Sequence, residues 1–324
     1  MSASRLFVAT IIGCAVSVHA GAAHADESGV GFWLSGSYAS FAASPPEPGW
    51  SIPSQFYYYD GRAGAGKGFQ HGSSVSLGLR SQSAVVFLTP TWTPAGENWL
   101  GGQPSFSLTF GAGWNSTFAS LSTSTVNGNE SRDVSSSIWG GADLSPEAQI
   151  AWTRGNHNWM TYVTGNIPSG AYQSSRLSNI GLGHSAVDIG GAYTYSNDAG
   201  TESSAVLGFT YNGENPHTSV RSGFDSHLDF SVSQSLSPRL QLGVVGYLYY
   251  QLTPDSGSGN KLGAFKSQVA ALGPQIGLTF PAFGRQVDAN LRGYWEFWNQ
   301  NHLQGRAAYL SLSTSSASGN ETPP

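Results

Sequence analysis

Charge is scarce in this chain. Of its 324 residues only 10% are Asp, Glu, Lys or Arg, against roughly 25% in an ordinary soluble domain. Lysine occurs only at Lys67, Lys261 and Lys266, and the formal net charge of −5 is thinly spread. That excludes the basic footprint a nucleic-acid partner requires. Cysteine occurs once, as Cys14, so no intrachain disulfide is available. No apolar run reaches the roughly 20 residues that a membrane-spanning helix needs. Zinc-type ligand spacing, a phosphate-cradling loop and a nucleotide fingerprint are all missing, so no metal and no cofactor are expected. Yet the chain is not greasy. Its mean hydropathy is −0.19, because Ser, Thr, Asn, Gln and Gly carry the polarity that charge usually supplies.

What the chain does have is alternation. From Arg285 to Trp298 the even positions read Gln286, Asp288, Asn290, Arg292, Tyr294, Glu296 and Trp298, and the odd positions read Val287, Ala289, Leu291, Gly293, Trp295 and Phe297. Side chains alternate across a strand, so one face is wet and the other oily. The same pattern recurs at 105–115, 143–152, 187–195, 227–233, 240–251 and 270–280. Pro146 and Pro274 interrupt it, and a bulge at each would accommodate a residue that cannot donate to a ladder. Tight turns at 154–157, 197–200, 237–239 and 282–284 are separated by longer polar stretches at 117–135, 167–184, 213–223 and 253–266, with a short link at 299–302. Alternating short and long connections mark an outer-membrane barrel, with short turns in the periplasm and long loops outside.

The spacing predicts about twelve strands, at 54–60, 81–93, 104–116, 137–153, 157–166, 184–196, 202–212, 225–236, 239–251, 267–280, 285–298 and 303–313. A soluble β-sandwich also alternates, but its strands average about five or six residues. Here they run longer, as tilted membrane strands must. Aromatic residues also gather near strand ends, at Trp92, Trp114, Trp152, Trp159, Tyr250, Phe280 and Trp295, where a membrane–water boundary favours them. The fold class is therefore all-β, a transmembrane antiparallel β-barrel.

The N-terminus reads as a secretory signal over 1–25. Arg5 precedes the apolar stretch Leu6 to Val18, and Ala23-His24-Ala25 offers a small-x-small cleavage site, with Ala20 as a second one. Ile11-Ile12-Gly13-Cys14 loosely matches a lipoprotein site, but the apolar stretch before it is short. Residues 26–53 then form an N-terminal segment, 54–314 the barrel and 315–324 a disordered tail. The segment carries Trp33, Tyr38, Phe41 and Trp50. It is either a plug folded into the lumen or a disordered periplasmic leader.

The alternation places Asp143, Glu147, Asp188, Asp229, Tyr247, Tyr249, Asp288, Arg292, Tyr294 and Glu296 inside, together with Trp298. A charge facing lipid costs about 2–4 kcal/mol for Arg or Lys at the midplane, less for Asp and Glu, so the interior is the cheaper placement. Two readings stand for the charges: a constriction that selects solutes, or a structural network in which Arg292 pairs with Asp288 and Glu296. Two stand likewise for the tyrosines: a lumen suited to a flat apolar solute, or packing against the plug. Lys261 and Lys266 lie in or beside an outer loop, where they either attract acidic solutes and lipopolysaccharide phosphates or are simply solvated. His227, Asp229 and Ser231 share a strand face, one suggestive cluster for hydrolytic chemistry, but no enzymatic function is expected.

Two motif blocks carry a family resemblance. The first runs Gly31-Phe32-Trp33-Leu34-Ser35-Gly36-Ser37-Tyr38, then Pro45-Pro46-Glu47-Pro48-Gly49-Trp50 and Phe56-Tyr57-Tyr58-Tyr59-Asp60-Gly61. The second runs Gly263-Ala264-Phe265-Lys266-Ser267 and on through Leu272-Gly273-Pro274-Gln275-Ile276-Gly277. Together they resemble the MetA-pathway of phenol degradation family, outer-membrane transporters often encoded beside enzymes of aromatic catabolism. Leu34-Ser35-Gly36 departs from the expected Leu-Pro-Gly. The resemblance implies an outer-membrane barrel that admits a small hydrophobic or aromatic solute, and it supplies no catalytic residues. The expected partners are outer-membrane lipid, lipopolysaccharide and that solute; the expected location is the outer membrane of a Gram-negative cell. The alternatives are a narrow general porin for polar solutes and a structural or adhesive barrel. The oligomeric state is not legible.

Overall fold

The structure is a computed structural model that describes residues 31–68, 74–96, 98–125, 128–260, 266–282 and 284–315. The expected signal peptide, residues 26–30, Lys261 and the tail beyond Ser315 lie outside the described residues.

In chain order the strands are β1 (Gly49–Ser51), β2 (Ser54–Gly68), β3 (Ser74–Leu88), β4 (Thr91–Thr93), β5 (Gln103–Thr125), β6 (Gly128–Gly141), β7 (Ser145–Arg154), β8 (His157–Asn166), β9 (Ala186–Ser196), β10 (Thr201–Asn212), β11 (Asp225–Ser237), β12 (Leu240–Gln251), β13 (Gln268–Ala282), β14 (Arg285–Gln300) and β15 (Gln304–Ser315). Every pairing is antiparallel. β15 pairs with β2, from Gln304↔Arg62 to Leu312↔Ser54, and so closes the sheet on itself. β6 and β7 share one place in the ring, because both pair with β5, at its C-terminal and N-terminal halves respectively. β1 and β4 form a small extra ladder with Trp50 opposite Trp92. The ring therefore has twelve staves, a transmembrane antiparallel β-barrel. Closure satisfies the backbone polar groups that lipid cannot.

The two faces follow the alternation. Val187, Ile189, Leu207, Val232, Val244, Leu291 and Trp295 are each at least half exposed on the outside. Asp188, Thr194, Glu202, His227, Asp229, Ser231, Arg292 and Glu296 are buried inside. A water-soluble core would invert these lists. The turn between β7 and β8 is two residues long, with Gly155 at φ 58, a value that glycine reaches without strain.

The structure corrects several boundaries. The first two staves are longer than their patterns suggested, and 91–93 is a separate strand. Residues 117–135 are mostly not a loop: β5 and β6 continue as a hairpin with the tip at 126–127 outside the described residues. The reason is a change of side. The outward-facing Asp60–Arg80 ion pair, 2.6 Å long, marks the level where the outer surface turns polar. Beyond it the register puts Leu79, Ala119, Leu121 and Val134 inward and Ser120, Ser122 and Asp133 outward. A mixed, serine-rich string results.

The stave expected at 137–153 is broken at Ala142, Asp143 and Leu144. Pro146 keeps its ladder with β5 but sits just above the start of the β7–β8 ladder at Glu147↔Thr164. Pro274 needs no bulge of its own: the ladder to β14 simply lapses at Gly273 and Pro274. The irregularity in that ladder lies between Ala270 and Ala271, which pair with Trp298 and Glu296. Phe297 is the extra residue, so Trp298 leaves the inner face and is 46% exposed.

Candidate functional site: a segment inside the barrel and the cavity beside it

Residues 31–48 belong to no strand. Buried backbone groups outside a ladder still need partners, and inward-facing side chains provide them. The segment makes a turn from Leu34 to Ser37, closed by the Ser37 amide donating to the Leu34 carbonyl at 3.0 Å. Gly36 occupies its third position at φ +82, and a Cβ there would stand 2.8 Å from the Tyr294 ring. Both oxygens of Asp229 accept from this turn, the Gly36 amide at 2.9 Å and the Tyr38 amide at 3.2 Å. Arg292 donates to the opposite groups: Nε to the Gly36 carbonyl at 3.0 Å and Nη2 to the Ser37 carbonyl at 2.6 Å. Tyr294 and Tyr309 donate their hydroxyls to the Gly36 and Ser35 carbonyls at 3.1 and 2.6 Å. Lower down, Glu202 accepts the Phe41 amide and Thr194 the Ala43 amide, both at 3.0 Å. Ser40 donates to Ser233 at 3.2 Å and accepts from Gln275 at 2.6 Å.

Aromatic packing fixes the other end. The Trp33 ring lies flat on His227, 3.7 Å between centroids, with Tyr38 and Tyr162 stacked at 5.6 and 5.7 Å. His227 in turn meets Asp188 through Nε2 at 3.0 Å. A second cluster gathers Tyr59, Tyr247, Tyr249, Tyr294 and Tyr309 around Val245 and Leu303. Glu296 sits among them, accepting from the Tyr59 and Tyr247 hydroxyls at 2.9 and 2.7 Å.

The anchors lie mainly on β9 to β15. On the opposite side, between the segment and β2, β3, β5 and β7, is a cavity of about 540 Å³. Asn179, Ile180 and Leu182 of the long β8–β9 loop line one end, and Ser51, Pro53 and Thr91 line the tight-turn end. Its flanks combine the Trp33, Tyr38, Tyr57 and Phe87 rings with Ser and Thr hydroxyls, and its only ionisable carboxylates among the described residues are Asp143 and Glu147.

The residues singled out from the sequence thus divide. Asp143 and Glu147 line the cavity. Asp188, Asp229, Arg292 and Tyr294 hold the segment directly or through His227, while Tyr247, Tyr249 and Glu296 are buried in the tyrosine cluster. Asp288 is a barrel residue that accepts from Thr279 at 2.6 Å. The pairing of Arg292 with Asp288 and Glu296 is absent: all three take other partners. Residues four apart on a strand stand about 13 Å apart, too far to pair. Of the four aromatics expected in a plug, Trp33 and Tyr38 are inside, but Phe41 is 45% exposed and Trp50, in β1, is 70% exposed. Lys266 donates to the Leu252 carbonyl at 2.6 Å. His227, Asp229 and Ser231 form no hydrogen-bonded relay, because His227 faces Asp188 and Asp229 faces the segment. Sequence reasoning missed Glu202, Thr194 and Gln275, although the alternation of β10 already set Glu202 on the wet face.

No curated protein sequence matches the chain. Among solved structures, the COG4313 outer membrane channel from Pseudomonas putida F1 superposes with a TM-score of 0.61 at 14% identity, covering 85% of this chain and 98% of that one. A FadL homologue of Pseudomonas aeruginosa gives a TM-score of 0.39 at 10% identity over 82% of this chain and 89% of that one. The first likeness establishes the fold, that of an outer-membrane barrel. The family described as MetA-pathway of phenol degradation matches residues 65–312, and the chain belongs to that family.

Proposed function

We propose that this protein is an outer-membrane channel that passively admits small hydrophobic or aromatic solutes. The solute passes through the cavity beside residues 31–48, and that segment is a fixed plug that narrows the lumen. The observation supporting this is the asymmetry of attachment: the anchors lie mainly on β9 to β15, whereas the cavity lies toward β2, β3, β5 and β7. Twelve staves enclose more space than side chains alone fill, and the segment takes up one side of it. The lining suits a flat ring bearing one polar group. Trp33, Tyr38, Tyr57 and Phe87 offer faces, and the serine and threonine hydroxyls offer hydrogen bonds. The phenol-degradation family and the outer membrane channel from Pseudomonas putida F1 agree with that reading. Diffusion down a gradient is the mechanism, and no residue is assigned a catalytic role.

The hydroxyl-rich lining favours one second reading, a narrow porin for small polar solutes. Planar bilayers separate the two. With the full chain inserted, neutral aromatic alcohols are expected to produce transient blocks of ion current, and sugars of similar size are not. Blocks by sugars alone favour the polar porin, and no current under any condition removes transport altogether.

A further inference from the structure

Among the described residues, the cavity lining contains no Lys, Arg or His, and only two carboxylates, Asp143 and Glu147. These two are not equivalent. Asp143 is saturated, with its oxygens accepting the Gly170 amide at 2.7 Å, the Leu182 amide at 2.8 Å and the Asn166 amide group at 3.0 Å. It folds the β8–β9 loop down against the break between β6 and β7. Glu147 instead faces the path from β7, and Tyr38 of the segment lines the same cavity. The other charges nearby do not offset Glu147. Asp188 and Asp229 have the same sign, His227 is engaged by Asp188 at 3.0 Å, and Arg292 is turned away, spent on the Gly36 and Ser37 carbonyls.

We propose that Glu147 is a charge filter that makes the path prefer cations and exclude carboxylate anions, so that the solute class is neutral or cationic. This rests on the cavity being the path. An uncompensated charge in a narrow lumen of low dielectric acts far more strongly than in water, and carboxylates in pores select for cations by this means. A neutral phenol meets no such repulsion at Glu147. A benzoate brings a second negative charge to a place that has no cation to receive it.

The test uses the full chain in planar bilayers under a KCl gradient in mildly alkaline buffer, which keeps carboxyl groups ionised, with reversal potential as the readout. The wild type is expected to favour K⁺ over Cl⁻, and E147Q to lose about fivefold or more of that preference. S107K adds an independent arm. Ser107 pairs with Glu147 across β5 and β7 and also lines the cavity, so an ammonium there is expected to cancel the preference without removing the carboxylate. Y38F, which keeps the charge, is expected to retain it. Chloride preference in the wild type, or a preference untouched in both E147Q and S107K, overturns the filter. Absence of any conductance overturns the path itself, so the two failures are distinguishable.

Discussion

The guanidinium of Arg292 holds the backbone carbonyl of Gly36 at 3.0 Å, across 256 residues of sequence. Asp229 holds the amide of the same residue at 2.9 Å. One acid and one base from different staves therefore grip the two ends of a single peptide turn. Removing the base tests the grip. Hydrogen bonds to a charged group are worth about 1.5–3 kcal/mol each, and buried carbonyls left unpaired add a penalty. R292A is therefore expected to loosen residues 31–48, raising both conductance and current noise and exposing the segment to protease. Heat-modifiable migration of the barrel on gels is expected to persist. A segment as protease-resistant as in the wild type would mean that the grip is redundant.

Gly36 and its neighbour Ser35 are expected to respond oppositely to substitution. G36A places a Cβ 2.8 Å from the Tyr294 ring at a φ of +82, and is expected to release the turn much as R292A does. Ser35 sits at the second position of the turn, where proline is favoured when glycine follows. S35P is therefore expected to leave conductance unchanged and to stabilise the segment by about 0.4–1 kcal/mol, the usual gain when proline fits the native backbone. Protease half-life of the segment measures both effects. A destabilising S35P would show that the turn is not of the type described.

Deleting residues 31–48 is expected to raise single-channel conductance several-fold, because the segment is held inside the barrel against inward-facing residues of β9 to β15. Conductance equal to that of the wild type would mean that the segment does not narrow the channel.

The outer face makes a separate demand. Leu291 is 51% exposed on β14, one position from the buried Arg292. L291R is expected to cost about 2–4 kcal/mol if the position lies near the bilayer midplane, measured by urea unfolding in lipid vesicles, and L291A much less. Equal effects would place that face away from lipid.

The barrel was legible because membrane strands write themselves as alternation. Asp188, Asp229, Arg292 and Glu296 stand on the face that their parity assigned. The misreadings have local physical causes. Phe297 adds one residue to β14 and flips Trp298, and parity arguments fail at any bulge. The hairpin of β5 and β6 looks like a loop in sequence because the oily face changes sides beyond the Asp60–Arg80 pair. The destinations of the inward charges were not legible at all. Arg292 reaches for Gly36 and not for Asp288, because the segment brings unpaired carbonyls into the lumen, and no local pattern records what a distant segment delivers. The turn at Leu34-Ser35-Gly36 and its partners Asp229 and Arg292 are visible only in the folded barrel.

The central claim is that solute passes beside an anchored segment and not by its expulsion. Ser40 and Ser233 touch at 3.2 Å between their hydroxyl oxygens, so the double substitution S40C/S233C offers a reducible lock. The decisive measurement is the conductance of this variant, with current block by a neutral aromatic alcohol, before and after reductant. The expected result is the same conductance and the same block in both states. A channel that is silent when locked and opens only on reduction would contradict the account.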